Sequence, residues 1–265
     1  MKMTAPWVIS IFSCCSLNGQ KYGNRLVVFG RKKDYSDLEK LPIDQRPVAG
    51  EIFNKICGEL REDFESFVHC PFAEESDDKN DESIILQVCI KAPNGLWNFF
   101  LIGGDARCSI WGKVYDKTEE HSNLERLDWD IFAVPHHGSY SFFSEISRED
   151  AKDNPDERSM KILDKGNQGC WLVCSSRPIK ERNYDDDDPP HIQAINHYRD
   201  TGKSKNNGNE DHFKCLMEYP DKEKPKPLVF RFTDGGPQKK SIGVVAAVAI
   251  AEKVSGSTPR YGWSM

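Results

Sequence analysis

The sequence predicts a mixed α/β or α+β fold in which strands outnumber helices. Short apolar runs recur along the chain, bounded by Gly, Pro, Asn and Asp. Helical spacing of apolar residues is confined to a few stretches. The apolar fraction is 38%, and the 19 glycines bring it to about 45%, which is enough for a packed core.

Residues 7–13 (WVISIFS) and 25–29 (RLVVF) read as two short strands, with Asn18-Gly19 and Tyr22-Gly23-Asn24 as turn residues between them. Residues 32–47 are polar and read as a loop. In 50–67 the apolar residues Ile52, Phe53, Ile56, Leu60, Phe64 and Phe67 fall at intervals that describe one helical face. Residues 72–82 read as an acidic, disordered loop. Residues 83–91 (SIILQVCIK) and 97–103 (WNFFLIG) form the strongest local signal, two strands joined by Ala92-Pro93-Asn94-Gly95. The second strand runs into Gly103-Gly104-Asp105. A short helix is predicted at 109–115. The next strand, 129–134, ends in Pro135-His136-His137-Gly138-Ser139. Residues 169–175 read as a strand. Four Asp at 185–188 precede Pro189-Pro190-His191, and 192–199 reads as a helix. Residues 203–211 form a polar loop, and 213–218 and 228–233 read as late strands. No internal repeat is present.

Lys+Arg number 36 against 42 Asp+Glu, a net charge of −6, which excludes a dedicated sequence-blind nucleic-acid coat but not a local basic groove. The longest apolar run, 242–251, has 10 residues and is too short to span a bilayer. The N-terminus lacks a signal-peptide core, so a cytoplasmic protein without a membrane partner is expected. Nine Cys, odd in number and scattered in spacing, read as free thiols in a reducing compartment.

Three polar clusters stand at or beyond the ends of predicted strands: Gly104-Asp105, His136-His137-Gly138-Ser139 and His191. In layered folds such loops gather at one edge of the sheet. A carboxylate can bridge two cations, and an imidazole offers one nitrogen to a metal while a neighbour orients the other. Two adjacent His on an extended turn point different ways. One can ligate, and its neighbour can hydrogen-bond an anionic oxygen or act as a general acid. Taken singly, each cluster has an ordinary structural reading: a turn or cap for Asp105, a surface pair for the two His, a helix-terminal residue for His191.

Taken together, their order and context resemble the metallo-β-lactamase fold, in the branch found in the hydrolase domain of the DNA-uptake protein ComEC. The shared features are a strand pair, a Gly-Asp, a helix, and a strand ending in a Pro-His-His-Gly-Ser turn with a further Ser, here Ser141. The resemblance spans about residues 25–233. It implies the C-terminal half of an αββα sandwich, with a mixed or antiparallel sheet and flanking helices, over residues 1–240. Residues 241–265 form an extension. Its apolar part, 241–254, either packs on its own core or docks on the missing half. The family's last metal ligand, a His commonly before a Pro, is matched most nearly by His191, whose prolines precede it.

The same resemblance implies metal-assisted hydrolysis of phosphodiesters, including nucleic acids. Two divalent cations, zinc or manganese, would hold a bridging water, with Asp105, His136 and His191 as ligands, although the sequence does not decide which of His136 and His137 faces the metal. His137 and Ser139 would contact the phosphate, beside Gly138 and Ser141 in substrate binding. Arg31-Lys32-Lys33, residues 222–226 and Lys239-Lys240 could line an entry path or be ordinary surface. The family's His-x-His-x-Asp-His motif, which supplies most of the ligands, is not in the sequence. The two-metal site is therefore expected only when another polypeptide segment carries that motif. Three readings stay open: one subunit of a split enzyme, a piece of a longer enzyme, or a catalytically incomplete member kept for binding or regulation.

Overall fold

The computed structural model describes residues 27–30, 41–72, 79–146, 154–181 and 188–240. The predicted strand at 7–13, the Asp run at 185–188 except Asp188, and the 241–265 extension lie outside them.

The fold is α+β. A mixed sheet of seven strands carries three helices and two separate hairpins. The predicted hairpin is present as β5 (Ile85–Lys91) and β6 (Trp97–Ile102), with Gly95 at φ +86° in its turn. From β6 the chain winds through α1 (Cys108–Glu120), β7 (Trp129–Ala133), α2 (Glu157–Asp164), β8 (Gly166–Cys174), α3 (Ile192–Ser204) and β9 (Phe213–Cys215). Strands β6 to β9 pair in parallel and in chain order. Right-handed crossovers laid down in one direction place all three helices on one face. The core matches this. The row Leu101–Phe132–Leu172–Phe213 packs against Ile110, Trp111 and Val114 of α1, Ile162 and Leu163 of α2, and Ile195 and Tyr198 of α3. Trp111 meets Phe132 and Phe142 edge-on, at ring separations of 5.8 and 5.5 Å.

The remaining strands precede β5. β1 (Ile52–Phe53) pairs with β4 (Phe64–Cys70), which pairs with β5, both antiparallel. The helix expected over 50–67 is therefore absent. β2 (Lys55–Ile56) and β3 (Glu59–Leu60) make a hairpin whose two turn residues, Cys57 and Gly58, have φ of +55° and +85°. Left-handed values at both positions mark the turn that matches strand twist. The helix-like spacing arises because the chain reverses direction within it. From Ser66 onward β4 is buried on both faces, which removes the alternation that identifies a strand.

Other differences are smaller. Val27 to Phe29 is buried and Val28 N donates to Gln45 O at 2.9 Å, but the described part of the 25–29 segment is not a strand. α1 extends five residues past the predicted end at 115, and α3 runs on into the expected 203–211 loop. β9 stops after three residues and passes into a 3-10 turn, Leu216–Glu218. The described end of the acidic loop, Lys79–Glu82, is also a 3-10 turn.

The opposite face of the sheet is covered unevenly. Hairpin β10 (Val229–Thr233)–β11 (Gly236–Lys240) lies over Trp171, whose Nε1 donates to Pro237 O at 3.2 Å. A second cluster, Val27, Phe29, Phe53, Val68 and Leu86, covers the β4–β5 end. Between these covers the row Ile102–Ala133–Val173 is only half-buried. All seven described cysteines are free thiols, and six of them are buried. Among the described residues no helix is long and apolar enough to cross a membrane.

Candidate functional site

The C-terminal ends of β6, β7 and β8 meet at one edge of the sheet and gather the sequence-predicted residues there. Gly103 is the first device. A Cβ on it would fall 2.0 Å from the Trp111 indole, so only glycine lets the chain pass over α1. Gly104 then turns at φ +50°, and the Asp105 N–H donates to Ser83 Oγ at 3.2 Å.

After β7 the backbone enters the left-handed region three times running, at His136 (φ +46°), His137 (φ +54°) and Gly138 (φ +80°). For the two histidines this costs about 1–2 kcal/mol each. Neighbouring loops hold the turn. His136 N donates to Gly104 O at 2.9 Å, Ser139 N to His136 O at 2.9 Å, and His191 N to Gly138 O at 3.0 Å. Gly138 is also required for space, because a Cβ would lie 2.9 Å from Ile195 Cδ1 and 3.2 Å from Cys174 Sγ.

The histidine side chains divide by their partners. His137 Nδ1 lies 2.6 Å from Ser175 O. A carbonyl only accepts, so Nδ1 carries the proton and Nε2 of the neutral ring presents its lone pair. That Nε2 faces Asp105 Oδ1 at 3.7 Å, with both side chains about half exposed. A lone pair and a carboxylate face each other, an arrangement that a shared cation or proton stabilises. His136 instead pairs through Nδ1 with Ser141 Oγ at 2.8 Å. His191 is buried at the start of α3, where its Nδ1 accepts the Tyr140 N–H at 2.9 Å. The proton of its neutral ring then sits on Nε2, so neither nitrogen of that tautomer offers a free lone pair to a metal. Ser139 is buried, and its Oγ accepts from Ser141 N at 3.3 Å.

The site thus brings Asp105 and His137 face to face, with His136, Gly138, Ser139 and Ser141 in the same turn and His191 bracing it from beneath. Sequence reasoning missed Ser175, which contributes only its carbonyl, and Glu145. The Glu145 carboxylate accepts from Ser109 N at 2.7 Å and caps α1 just behind Asp105. Burial alone would raise its carboxyl, but the Ser109 N–H and the Cys108 thiol hold it below the usual glutamate value. Neither signal is a motif: one is backbone, the other a lone acid in a loop.

The donor set fits part of a metal centre. The 3.7 Å gap is close to the roughly 3.4 Å between two ligands of tetrahedral zinc. A zinc site takes three or four protein donors, and no three His, Cys, Asp or Glu side chains converge among the described residues. These residues by themselves do not close a site, and no reaction step is assigned to a metal on them alone. Of the basic entry path, Lys239 is tied to Asp211 at 2.7 Å and lies 5.3 Å over the Trp171 ring. Residues 31–33 lie outside the described residues.

An α+β sheet with a Gly-Asp loop and a left-handed His-His-Gly turn at one edge is the class of architecture these observations define. Comparison with family models, curated proteins and solved structures returns no match.

Proposed function

We propose that this chain supplies the C-terminal half of a metallo-β-lactamase-type, metal-dependent hydrolase of phosphodiesters, nucleic acids among them. In this reading the site is completed by a polypeptide segment carrying His-x-His-x-Asp-His. The observation that carries it is the Asp105–His137 pair, with His137 Nε2 held toward the carboxylate by the hydrogen bond from Nδ1 to Ser175 O. Strained backbone at His136 and His137 supports it too, because such strain gathers where geometry serves function. So does the half-buried row Ile102–Ala133–Val173, whose strands lead directly into the site loops and which a second sheet would cover.

In this reading Asp105 and His137 give two donors to a divalent zinc or manganese ion. His136, steered by Ser141, faces the substrate phosphate beside Ser139 and Gly138, and His191 positions the turn. This assigns ligation to His137 and the substrate contact to His136, a choice that the sequence leaves open, and makes His191 a positioning residue in place of the expected ligand. The second reading is a binding or regulatory subunit without catalysis, which needs no metal at Asp105 and His137.

The test is reconstitution with the polypeptide that carries the motif, assayed on bis(p-nitrophenyl) phosphate and on DNA with added zinc or manganese. Asp105→Asn and His137→Gln are expected to lower kcat by at least about 100-fold, the loss typical of an essential electrostatic group, with complex formation unchanged. Complex formation without hydrolysis in the wild-type pair favours the binding reading. Hydrolysis that survives both substitutions rules out the proposed site.

A further inference from the structure

At the far end of α1 from the Asp105 loop, a cleft of about 730 Å³ opens between that helix and the β1–β4 edge of the sheet. Phe67, Phe72 and Val114 form its apolar lining, with His69 among them and Lys117 and Thr118 on its helical side. Its size falls in the usual range of small-molecule sites.

His69 is 5% exposed, and its Nε2 lies 2.9 Å from Arg126 O. The carbonyl fixes the proton on Nε2, which leaves Nδ1 as an acceptor with no partner among the described residues. Burial holds the ring neutral by lowering its pKa to about 4. Nδ1 is not one of the sealed, unsatisfied atoms of the interior, so it can be reached from the cleft that His69 lines, where it can accept from a guest's donor.

The charges select a neutral guest. Lys117 disfavours a cation, while the carbonyl end of α1 and the Glu51 carboxylate disfavour an anion. Lys117 Nζ already sits 5.7 Å over the Phe72 ring, so an aromatic guest beside Phe72 would meet the same cation.

We propose that this cleft binds a small neutral aromatic molecule carrying one N–H or O–H donor, with the ring between Phe67, Phe72 and Val114 and the donor on His69 Nδ1. The proposal is independent of the Asp105–His137 site.

Indole is the probe, titrated into the isotope-labelled full chain and followed by amide NMR. Saturable shifts are expected at residues 48–51, 67–69 and 114–118, with a Kd of about 1 mM or tighter, as suits a ligand of this size. 1-Methylindole, which lacks the donor, is expected to bind at least about fivefold more weakly. Ala49→Phe, which fills the cleft from its half-buried loop side, is expected to weaken indole at least about tenfold. Should that variant fail to fold, Lys117→Ala on the exposed helix surface replaces it, with an expected loss of about threefold. Absence of saturable shifts, shifts confined to other residues, or equal affinity for 1-methylindole would overturn the proposal.

Discussion

At the scale of single residues, hydrogen-bond partners decide what each histidine can do. A carbonyl acceptor fixes the tautomers of His137 and His69, and an N–H donor fixes that of His191. Residue type was legible in the sequence; tautomer was not, because it depends on Ser175, Arg126 and Tyr140, which are distant in the chain. His69 also carries a pH prediction. Its folded value of about 4 lies below the ordinary 6.5, chiefly through burial. The unfolded chain therefore binds more protons between the two values. Stability is whole above pH 6.5 and falls as the pH drops to 4, by about 3 kcal/mol for a shift of this size. His69→Gln keeps a donor for Arg126 O without titrating there. Urea denaturation across this window is expected to show a flatter stability profile for the variant than for the wild type. Parallel profiles would remove His69 as the source.

At the scale of elements, legibility followed how much of the pattern was local. The β5–β6 hairpin, β7 and the core of β8 could be read because each is one apolar run ending in turn residues. β1 to β4 could not, because a reversal at Cys57-Gly58 gave strands the spacing of a helix. α2 was missed because it buries only Ser159, Ile162 and Leu163, although Asp156 caps it by accepting from the N–H groups of Arg158 and Ser159. β11 was missed because its residues are polar, yet Asp234-Gly235-Gly236 is a hairpin signal that was there to be used. Within elements, two glycines should behave oppositely. A Cβ on Gly112 meets the guanidinium of Arg158 at 2.8 Å, the far end of a flexible side chain, and Ala gains helix propensity. A Cβ on Gly138 meets packed Ile195, Cys174 and Pro190 at positive φ. Gly112→Ala is expected to change stability by less than about 1 kcal/mol, and Gly138→Ala to cost about 2–4 kcal/mol. Thermal or urea melts check this, and equal costs would contradict the packing account.

At the scale of the whole molecule, the helix face of the sheet is more fully buried than the opposite face among the described residues. Three helices seal Leu101, Phe132 and Leu172, while Ile102, Ala133 and Val173 stand half-buried beside the candidate site. The half-buried row adjoins the Asp105–His137 pair, and in the proposed reading one partner segment completes both. The sequence indicated the site through its Gly-Asp and His-His-Gly-Ser signals, and the structure places Asp105, His136, His137, Ser139 and Ser141 at one edge. What stayed illegible was the pairing of Asp105 with His137, because it is made by the left-handed turn rather than by spacing. The most direct test of the account is the metal and partner content of the protein isolated from its native cells, wild type beside Asp105→Asn. The account predicts a stoichiometric His-x-His-x-Asp-His segment, on the same or a second polypeptide, with about two metals per complex that are lost in the variant while the complex persists. A metal-free wild-type protein without such a segment would contradict it.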